Sequence, residues 1–270
     1  MINISFVIPC YNEEERIEKT FEALRNFVSQ GKRSRGILCG GIELSEIIFV
    51  DDGSTDETFK KIHDFGARNK ELNIRVISYK PNRGKGNAVK VGLLEAKSDY
   101  VLFFDADTST PLSEINKFIP FMKEKADVVI GTRKNGKSLV LKHQPKLREF
   151  MGRVFTKITQ VSLNVPTTDF TCGFKLFSKK AVKSIFTKAQ IDGWGYDAEI
   201  VYLANRDYKV NEIPVLWIND ERTHVVIYKA IPQTLYDLLR INWIHGAKPS
   251  LLLFAQKIYS LLFKYAPSIH

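Results

Sequence analysis

Cysteine is scarce: Cys10, Cys39 and Cys172 are all that a chain of 270 residues contains, and no two stand at a paired spacing. That argues against a disulfide framework, and with no signal-peptide pattern at the start a reducing cytoplasm is the expected home. Long apolar runs are missing too. The longest near the C-terminus, Leu251 to Phe263, is broken by Gln256, Lys257 and Ser260, and it falls short of the ~20 residues a spanning helix needs. The chain is therefore not expected to cross a bilayer by itself. No internal repeat or low-complexity tract occurs, and no helix-turn-helix, zinc or RNP-type pattern accompanies the basic charge, so nucleic acid is not an expected partner. The P-loop and the dinucleotide fingerprint are also absent, since Gly84 and Gly86 are not followed by a third glycine three positions on.

What is present is an ordinary globular composition, 44% hydrophobic and 26% charged, long enough for one large domain with an appended substructure. Forty Lys and Arg against 30 Asp and Glu leave a formal charge of +10, which favours anionic partners such as nucleotide phosphates or an acidic membrane surface. Basic residues concentrate in "KRSR" at 32–35 and between Arg133 and Arg153, and only the second cluster lies near the motifs that follow.

The first half alternates short apolar, β-branched runs with helical periodicity, the signature of βαβ units and a mostly parallel sheet. Strands are expected at 4–9, 46–51, 74–79, 100–104 and 127–131, apolar enough to be covered on both faces. Ile17, Phe21, Leu24 and Val28 mark a helix between the first two, followed by a Gly-rich connection at 31–43, and 55–69 and 87–97 complete two more crossovers. Later segments read as a basic loop from 134, a helix at 147–163, a turn feeding a short strand in "TTDFTCGFKLFS", a loop entering a helix in "GWGYDAEIVYLANRD", a strand at 210–217 and helical stretches at 227–244 and 251–263. Ligands on such sheets gather at the carboxyl ends of the strands. Four polar turns fall there: "PCYNEEE", "DDGSTDE", "NRGKGNA" and "DADTSTP".

The last of these drives an apolar strand into Asp105-Ala106-Asp107. Side chains two apart on an extended strand point the same way, so both carboxylates can address one hard divalent cation, Mg²⁺ or Mn²⁺, which offsets their repulsion and bridges substrate phosphates. Asp51 and Asp52 also close an apolar strand, and one of them is placed to accept from a base or ribose. "NRGKGNA" suggests a diphosphate cradle made of backbone N–H groups and Lys85.

Together "FVIPCYNEEERI", "EIIFVDDGSTDET", "NRGKGNAVKVGLLEAKSDYVLFFDAD" and "DFTCGFKLFSKKA" resemble the family-2 inverting glycosyltransferases of the GT-A fold, and within them the dolichyl- and polyprenyl-phosphate mannose and glucose synthases. The resemblance spans roughly 3–220 and implies a GT-A domain over 1–220, with 221–270 a C-terminal amphipathic helical appendage suited to a membrane interface. It implies that Pro9, Tyr11 and Glu13 hold base and ribose, that Asp52 contacts the base, and that Lys85 approaches the diphosphate. Asp105, Ala106 and Asp107 match the metal-binding DxD. Arg133, Arg148 and Arg153 match a grip on an acceptor phosphate, Asp169 lies near the sugar, and Asp197 with Glu199 closes that side. Three departures stand out: Ser109 replaces a Gln that often serves as a metal ligand in mannose synthases, "ERTHVVIY" with Arg222 and His224 replaces a "GxSKL"-like segment, and C-terminal transmembrane helices are absent.

The implied reaction is metal-dependent transfer of mannose or glucose from GDP-mannose or UDP-glucose to a lipid phosphate, by a cytoplasmic enzyme in peripheral contact with the cytoplasmic membrane face. A phosphate dianion needs no strong base, so orientation and leaving-group stabilisation carry the catalysis. An alternative keeps the fold and moves the sugar to a saccharide hydroxyl, with Asp169 or Asp197 as base. Two further alternatives are weaker: intact Asp105 and Asp107 argue against a dead nucleotide-sugar-binding module, and "PCYNEEE" is not the Gly-rich loop of a nucleotidylyl transferase.

Overall fold

Apolar strands alternate with amphipathic helices along the chain in the computed structural model, which describes residues 2–32, 37–38, 41–134, 138, 140–142, 146–218 and 227–246. The elements in order are β1 (Ile2–Cys10), α1 (Ile17–Lys32), β2 (Ile37–Leu38), β3 (Ile42–Asp51), α2 (Thr58–Arg68), β4 (Ile74–Ser78), α3 (Lys85–Glu95), β5 (Tyr100–Phe104), α4 (Ile119–Lys123) and β6 (Val128–Thr132). There follow β7 (Val140–Lys142), α5 (Lys146–Leu163), β8 (Phe174–Ser178), α6 (Lys179–Phe186), α7 (Tyr196–Asp207), β9 (Val210–Pro214), β10 (Trp217–Ile218) and α8 (Ile227–His245).

Eight strands form one sheet in the order β3-β1-β5-β8-β6-β9, with β2 and β4 both on the outer edge of β3. All run parallel except the short β2 and β8, the latter inserted antiparallel between β5 and β6. The mostly parallel α/β sheet expected of a GT-A fold is therefore present. Strand order reverses between β1 and β5, so a crevice opens there at the strand carboxyl ends, where open α/β sheets bind ligands. The reversed β8 brings its amino end to that same rim, Phe174 pairing with Phe104.

Alternation along the strands divides the core. Phe6, Phe49, Leu102, Phe104 and Phe174 pack against α1 and α2, whose Ile17, Phe21, Leu24 and Ile62 are buried. Val7, Val50, Val101, Phe103 and Phe177 face α3, α6, α7 and α8 on the other side. Both faces are covered, which is why these strands read as continuous apolar runs. The strand expected at 210–217 is split: β9 ends at Pro214, Val215 N–H still donates to the Thr132 carbonyl at 3.2 Å, and Trp217–Ile218 then leaves to pair with β7 in a separate two-stranded sheet. Within the range set apart at 221–270, α8 buries Leu238 and Ile241 completely in the main core. Arg222, His224 and the stretch 251–263 lie outside the described residues, as does Cys39.

Candidate active site

The rim of the crevice carries the polar turns. Two of them, after β1 and β3, are laced together. Asn12 N–H donates to the Ser54 hydroxyl at 3.1 Å, Thr55 N–H to Asn12 Oδ1 at 2.9 Å, Glu13 N–H to the Thr58 hydroxyl at 2.7 Å, and Glu14 N–H to Asp56 at 3.2 Å. Pro9 is buried at the end of β1. Tyr11 stands out from the lacing at 44% exposure, and Glu13 is clamped by Arg16 through two bonds of 2.7 and 2.6 Å. Asp52 is used differently from the sequence expectation. Only 2% exposed, its oxygens accept Asn82 Nδ2 at 2.8 Å and the N–H groups of Arg83 and Gly84, each at 2.9 Å. In this conformation Asp52 braces the turn after β4.

The diphosphate cradle of backbone donors is corrected on the same ground. The N–H groups of Arg83 and Gly84 are held by Asp52, and that of Gly86 donates to the Asp192 carbonyl at 2.8 Å. Gly84, with φ at 103°, lies so close to the Asp192 carbonyl that a Cβ would meet it at 2.5 Å. The turn is a packed support whose working part is the Lys85 side chain, at the first position of α3, with its ammonium 2.6 Å from Asp105 Oδ1.

β5 ends at Phe104, so Asp105 and Asp107 do not converge by strand parity. A turn brings them together: Asp105 N–H donates to the Gly173 carbonyl at 3.2 Å, Thr108 takes a positive φ, and Ser109 N–H returns to Asp107 Oδ1 at 2.9 Å. Ala106 is buried between them, its carbonyl accepting the Thr20 hydroxyl. Gly173 is where β8 makes room, because a Cβ there would sit 2.0 Å from Asp105 Oδ2.

The electrostatics divide the two carboxylates. Burial works to raise Asp105, but Lys85 first, then Lys175 and Arg133, hold it below the usual range. Burial and the neighbouring Asp105 charge raise Asp107. Lys85, despite its burial, is held above its usual value by Asp105 and Asp197. Asp105 Oδ1 is buried and accepts no well-angled hydrogen bond, its contact being the Lys85 ammonium. Two carboxylates in one turn, Asp107 raised by its neighbour and Asp105 held as an anion by Lys85, fit a hard divalent cation, which lowers both. No group of three or more His, Cys, Asp or Glu able to hold a metal occurs among the described residues, so diphosphate oxygens and water would fill the remaining positions.

On the β6 side, Arg133 forks onto Asp169, Nε to Oδ2 at 2.7 Å and Nη2 to Oδ1 at 2.8 Å, while Nη2 also reaches the Thr171 hydroxyl at 2.8 Å. The guanidinium lies 5.3 Å from the Trp217 ring centroid. Asp169 is fully buried, and although burial opposes it, Arg133 and Lys134 hold its carboxyl well below the usual range. Lys134, lowered by burial, donates to the Thr156 hydroxyl of α5 at 2.7 Å. Arg153 does not join this group. Its side chain is 72% exposed beside Glu149 on α5, and the side chain of Arg148 lies outside the described residues.

Asp197 and Glu199, both expected to close the sugar side, point apart because they stand two positions from each other in the first turn of α7. Asp197 accepts the Lys175 ammonium at 2.6 Å, and its charge acts on Lys85 and Asp105. Glu199 turns inward to take the N–H groups of Gln190 and Ile191 and the His245 ring. Sequence reasoning missed Lys175, Lys134 and Gly173. A lysine inside the apolar run "FKLF" was the available signal for the first.

The model of Glycosyl transferase family 2 matches residues 5–186. The dolichyl-phosphate beta-glucosyltransferase of Dictyostelium discoideum is 31% identical over 250 residues, covering 90% of this chain and 74% of that protein. The Saccharomyces cerevisiae protein of the same name is 33% identical over 233 residues, 80% of this chain and 67% of its own length. Among solved structures, glucosyl-3-phosphoglycerate synthase from Mycobacterium tuberculosis with Mn²⁺, uridine diphosphate and glucosyl-3-phosphoglycerate superposes with a TM-score of 0.62 at 18% identity, over 92% of this chain and 82% of that one.

Proposed function

The chain belongs to glycosyl transferase family 2, and from that membership we propose that it moves glucose, with inversion, from a nucleoside-diphosphate glucose to a dolichyl or polyprenyl phosphate. The observation that carries the acceptor and the sugar is the likeness, over 90% of the chain, to a dolichyl-phosphate beta-glucosyltransferase. Mannose, left open by the sequence motifs, stays the alternative sugar.

The donor lies in the crevice between β1 and β5, its base and ribose against Pro9, Tyr11 and Glu13 and its diphosphate toward Lys85. Asp105 and Asp107 would hold Mg²⁺ or Mn²⁺, which when bound neutralises the departing diphosphate. Lys85 adds a fixed positive charge at the same place. Arg133 is locked by Asp169 and Thr171 through Nε and Nη2, which leaves its Nη1 edge for the acceptor phosphate. Lys134 adds charge beside it, and Asp197 closes the hexose side. The lipid phosphate oxygen attacks the anomeric carbon as the bond to the nucleoside diphosphate breaks, and a phosphate dianion needs no base.

The acceptor has to be met at a membrane. No described helix is long and apolar enough to cross one. On α8 the residues Tyr236, Leu239 and Trp243, 58%, 41% and 86% exposed, form one outward stripe with Arg240 beside it, suited to lying in an acidic interface. We place that membrane contact on the cytoplasmic face, where the free, buried Cys10 and Cys172 stay reduced.

The test is incubation of the purified protein with UDP-glucose or GDP-mannose, a short polyprenyl phosphate and Mn²⁺ or Mg²⁺, with the lipid product identified by mass spectrometry and Asp107→Ala as control. A metal-dependent glucosyl phospholipid absent from the control is expected. Transfer only to a saccharide hydroxyl or a small phosphorylated acid would refute the lipid acceptor.

A further inference from the structure

Lys175 is the least expected residue at the rim. It sits in β8, between Phe103 of β5 and Ile130 of β6 in the register, and its side chain is fully buried. A buried ammonium is expensive unless every donor is satisfied, and an apolar residue at this position would serve the sheet better. Here two of the three donors are placed and the charge faces an aromatic ring. One goes to the Cys172 carbonyl at 2.7 Å and one to Asp197 Oδ1 at 2.6 Å, while the ammonium lies 5.2 Å from the Phe103 ring centroid.

The position of Asp197 makes this arrangement more than local. Asp105, Lys85, Asp197 and Lys175 form one cluster of two ion pairs, Lys85 against Asp105 at 2.6 Å and Lys175 against Asp197 at 2.6 Å. The Asp197 charge is felt at Lys85, and the Lys175 charge at Asp105. Asp197 stands at the second residue of α7, beside the buried Tyr196 and within reach of the Lys85 charge, and its shortest contact is the Lys175 ammonium. Without Lys175 the side chain would lose its 2.6 Å anchor, and its charge would be left to Lys85, which already serves the DxD turn.

We propose that Lys175 is a positioning residue for hexosyl transfer: held rigidly between β5 and β6, it pins one oxygen of Asp197 so that the carboxylate faces the hexose of the donor. This rests on the donor site proposed above. Lys175 touches no substrate, and its effect runs through Asp197.

The experiment compares calorimetric affinities for UDP and UDP-glucose, or GDP and GDP-mannose should the wild type prefer them, with Mn²⁺ present. The proteins are the wild type, Lys175→Met, Asp197→Asn and the double variant, at a temperature where each is folded by circular dichroism. The nucleoside diphosphate should bind Lys175→Met within about threefold of wild type, while the nucleotide sugar weakens roughly tenfold, the worth of one charged hydrogen bond. The double variant should be no worse than the weaker single variant, because both changes remove one interaction. Equal weakening of both ligands, or losses that add in the double variant, overturns the proposal. Should Lys175→Met not fold, Lys175→Gln, which keeps a donor without the charge, takes its place under the same criteria. A wild type that binds neither nucleotide sugar sinks the donor site itself and this inference with it. A wild type that binds and transfers beside an unaffected variant sinks this inference alone.

Discussion

Gly173→Ala adds a single methyl group and tests the DxD geometry directly. A Cβ at this position lies 2.0 Å from Asp105 Oδ2, 2.2 Å from Cγ and 2.5 Å from Oδ1, where ordinary contact begins at 3.4 Å. Gly173 is not among the residues with positive φ, so alanine adopts its backbone without strain. The Asp105 N–H remains tied to the Gly173 carbonyl at 3.2 Å, so relief comes from the side chain swinging away. The carboxylate must retreat by about 1 Å or more, a misplacement that costs on the order of 100-fold in rate at a reacting centre. That corresponds to about 2.7 kcal/mol of barrier. Because only the far end of one short side chain moves, the melting temperature should fall by less than about 4 °C, roughly what 1 kcal/mol is worth in a chain of this size. Turnover is measured with donor, polyprenyl phosphate and saturating Mn²⁺, alongside a thermal melt. A variant with near-normal melting and turnover within threefold of wild type would show that the position of Asp105 against β8 does not matter, and the metal-site reasoning would fail.

Arg133→Gln leaves the fully buried Asp169 without its fork, and breaking such a pair typically costs ~3–5 kcal/mol, read as a lower urea midpoint at pH 7. The folded-state pKa of Asp169 is depressed, so the pair's contribution is complete above the ordinary Asp value of ~4 and is lost as pH falls through the folded value. The gap in stability between wild type and Arg133→Gln should therefore shrink below about pH 4; parallel curves down to pH 3 would contradict it. Trp243→Ser, on the outward stripe of α8, should reduce co-sedimentation with anionic vesicles several-fold while leaving turnover on a short, water-soluble polyprenyl phosphate unchanged. Unaltered sedimentation would remove α8 as the contact.

Much of the architecture was legible because parallel strands buried on both faces leave a simple trace. Five strands expected from their apolar runs appear within a few residues at their ends, β5 coinciding at Tyr100–Phe104. The pairing of β8 was not legible. "FKLFS" reads as a strand, but nothing local states that it enters antiparallel between β5 and β6, since that partner choice is made by long-range packing of Phe174, Leu176 and Phe177 on both sides of the sheet. The break at Pro214 was within reach, as proline in a strand run marks an edge strand or a strand end, and β9 is the last strand of the sheet. Glu199 was assigned to the site from its motif, yet two residues along a helix from Asp197 it faces another way.

The harder distinction at the rim is between carboxylates that serve a ligand and carboxylates that brace the walls. Asp52 and Asp105 look alike in sequence, each closing an apolar strand inside an acidic turn. What separates them is how many donors the fold has already aimed at each. Three donors converge on Asp52, from Asn82, Arg83 and Gly84, so a ligand there would have to displace bonds that hold the turn after β4. Asp105 has an oxygen met by the Lys85 ammonium alone and a neighbour, Asp107, raised by its charge. A carboxylate pair that repels within one turn is costly to keep unless a cation binds it, whereas a carboxylate saturated by donors is structure. By that criterion we propose Asp105 and Asp107 as the ligand-facing pair, while Asp52, Asp169 and Glu199 brace the walls in this conformation. Asp197 falls between the two groups, one oxygen held by Lys175 and the side chain 12% exposed, which is the condition expected of a carboxylate set in place to meet the donor sugar.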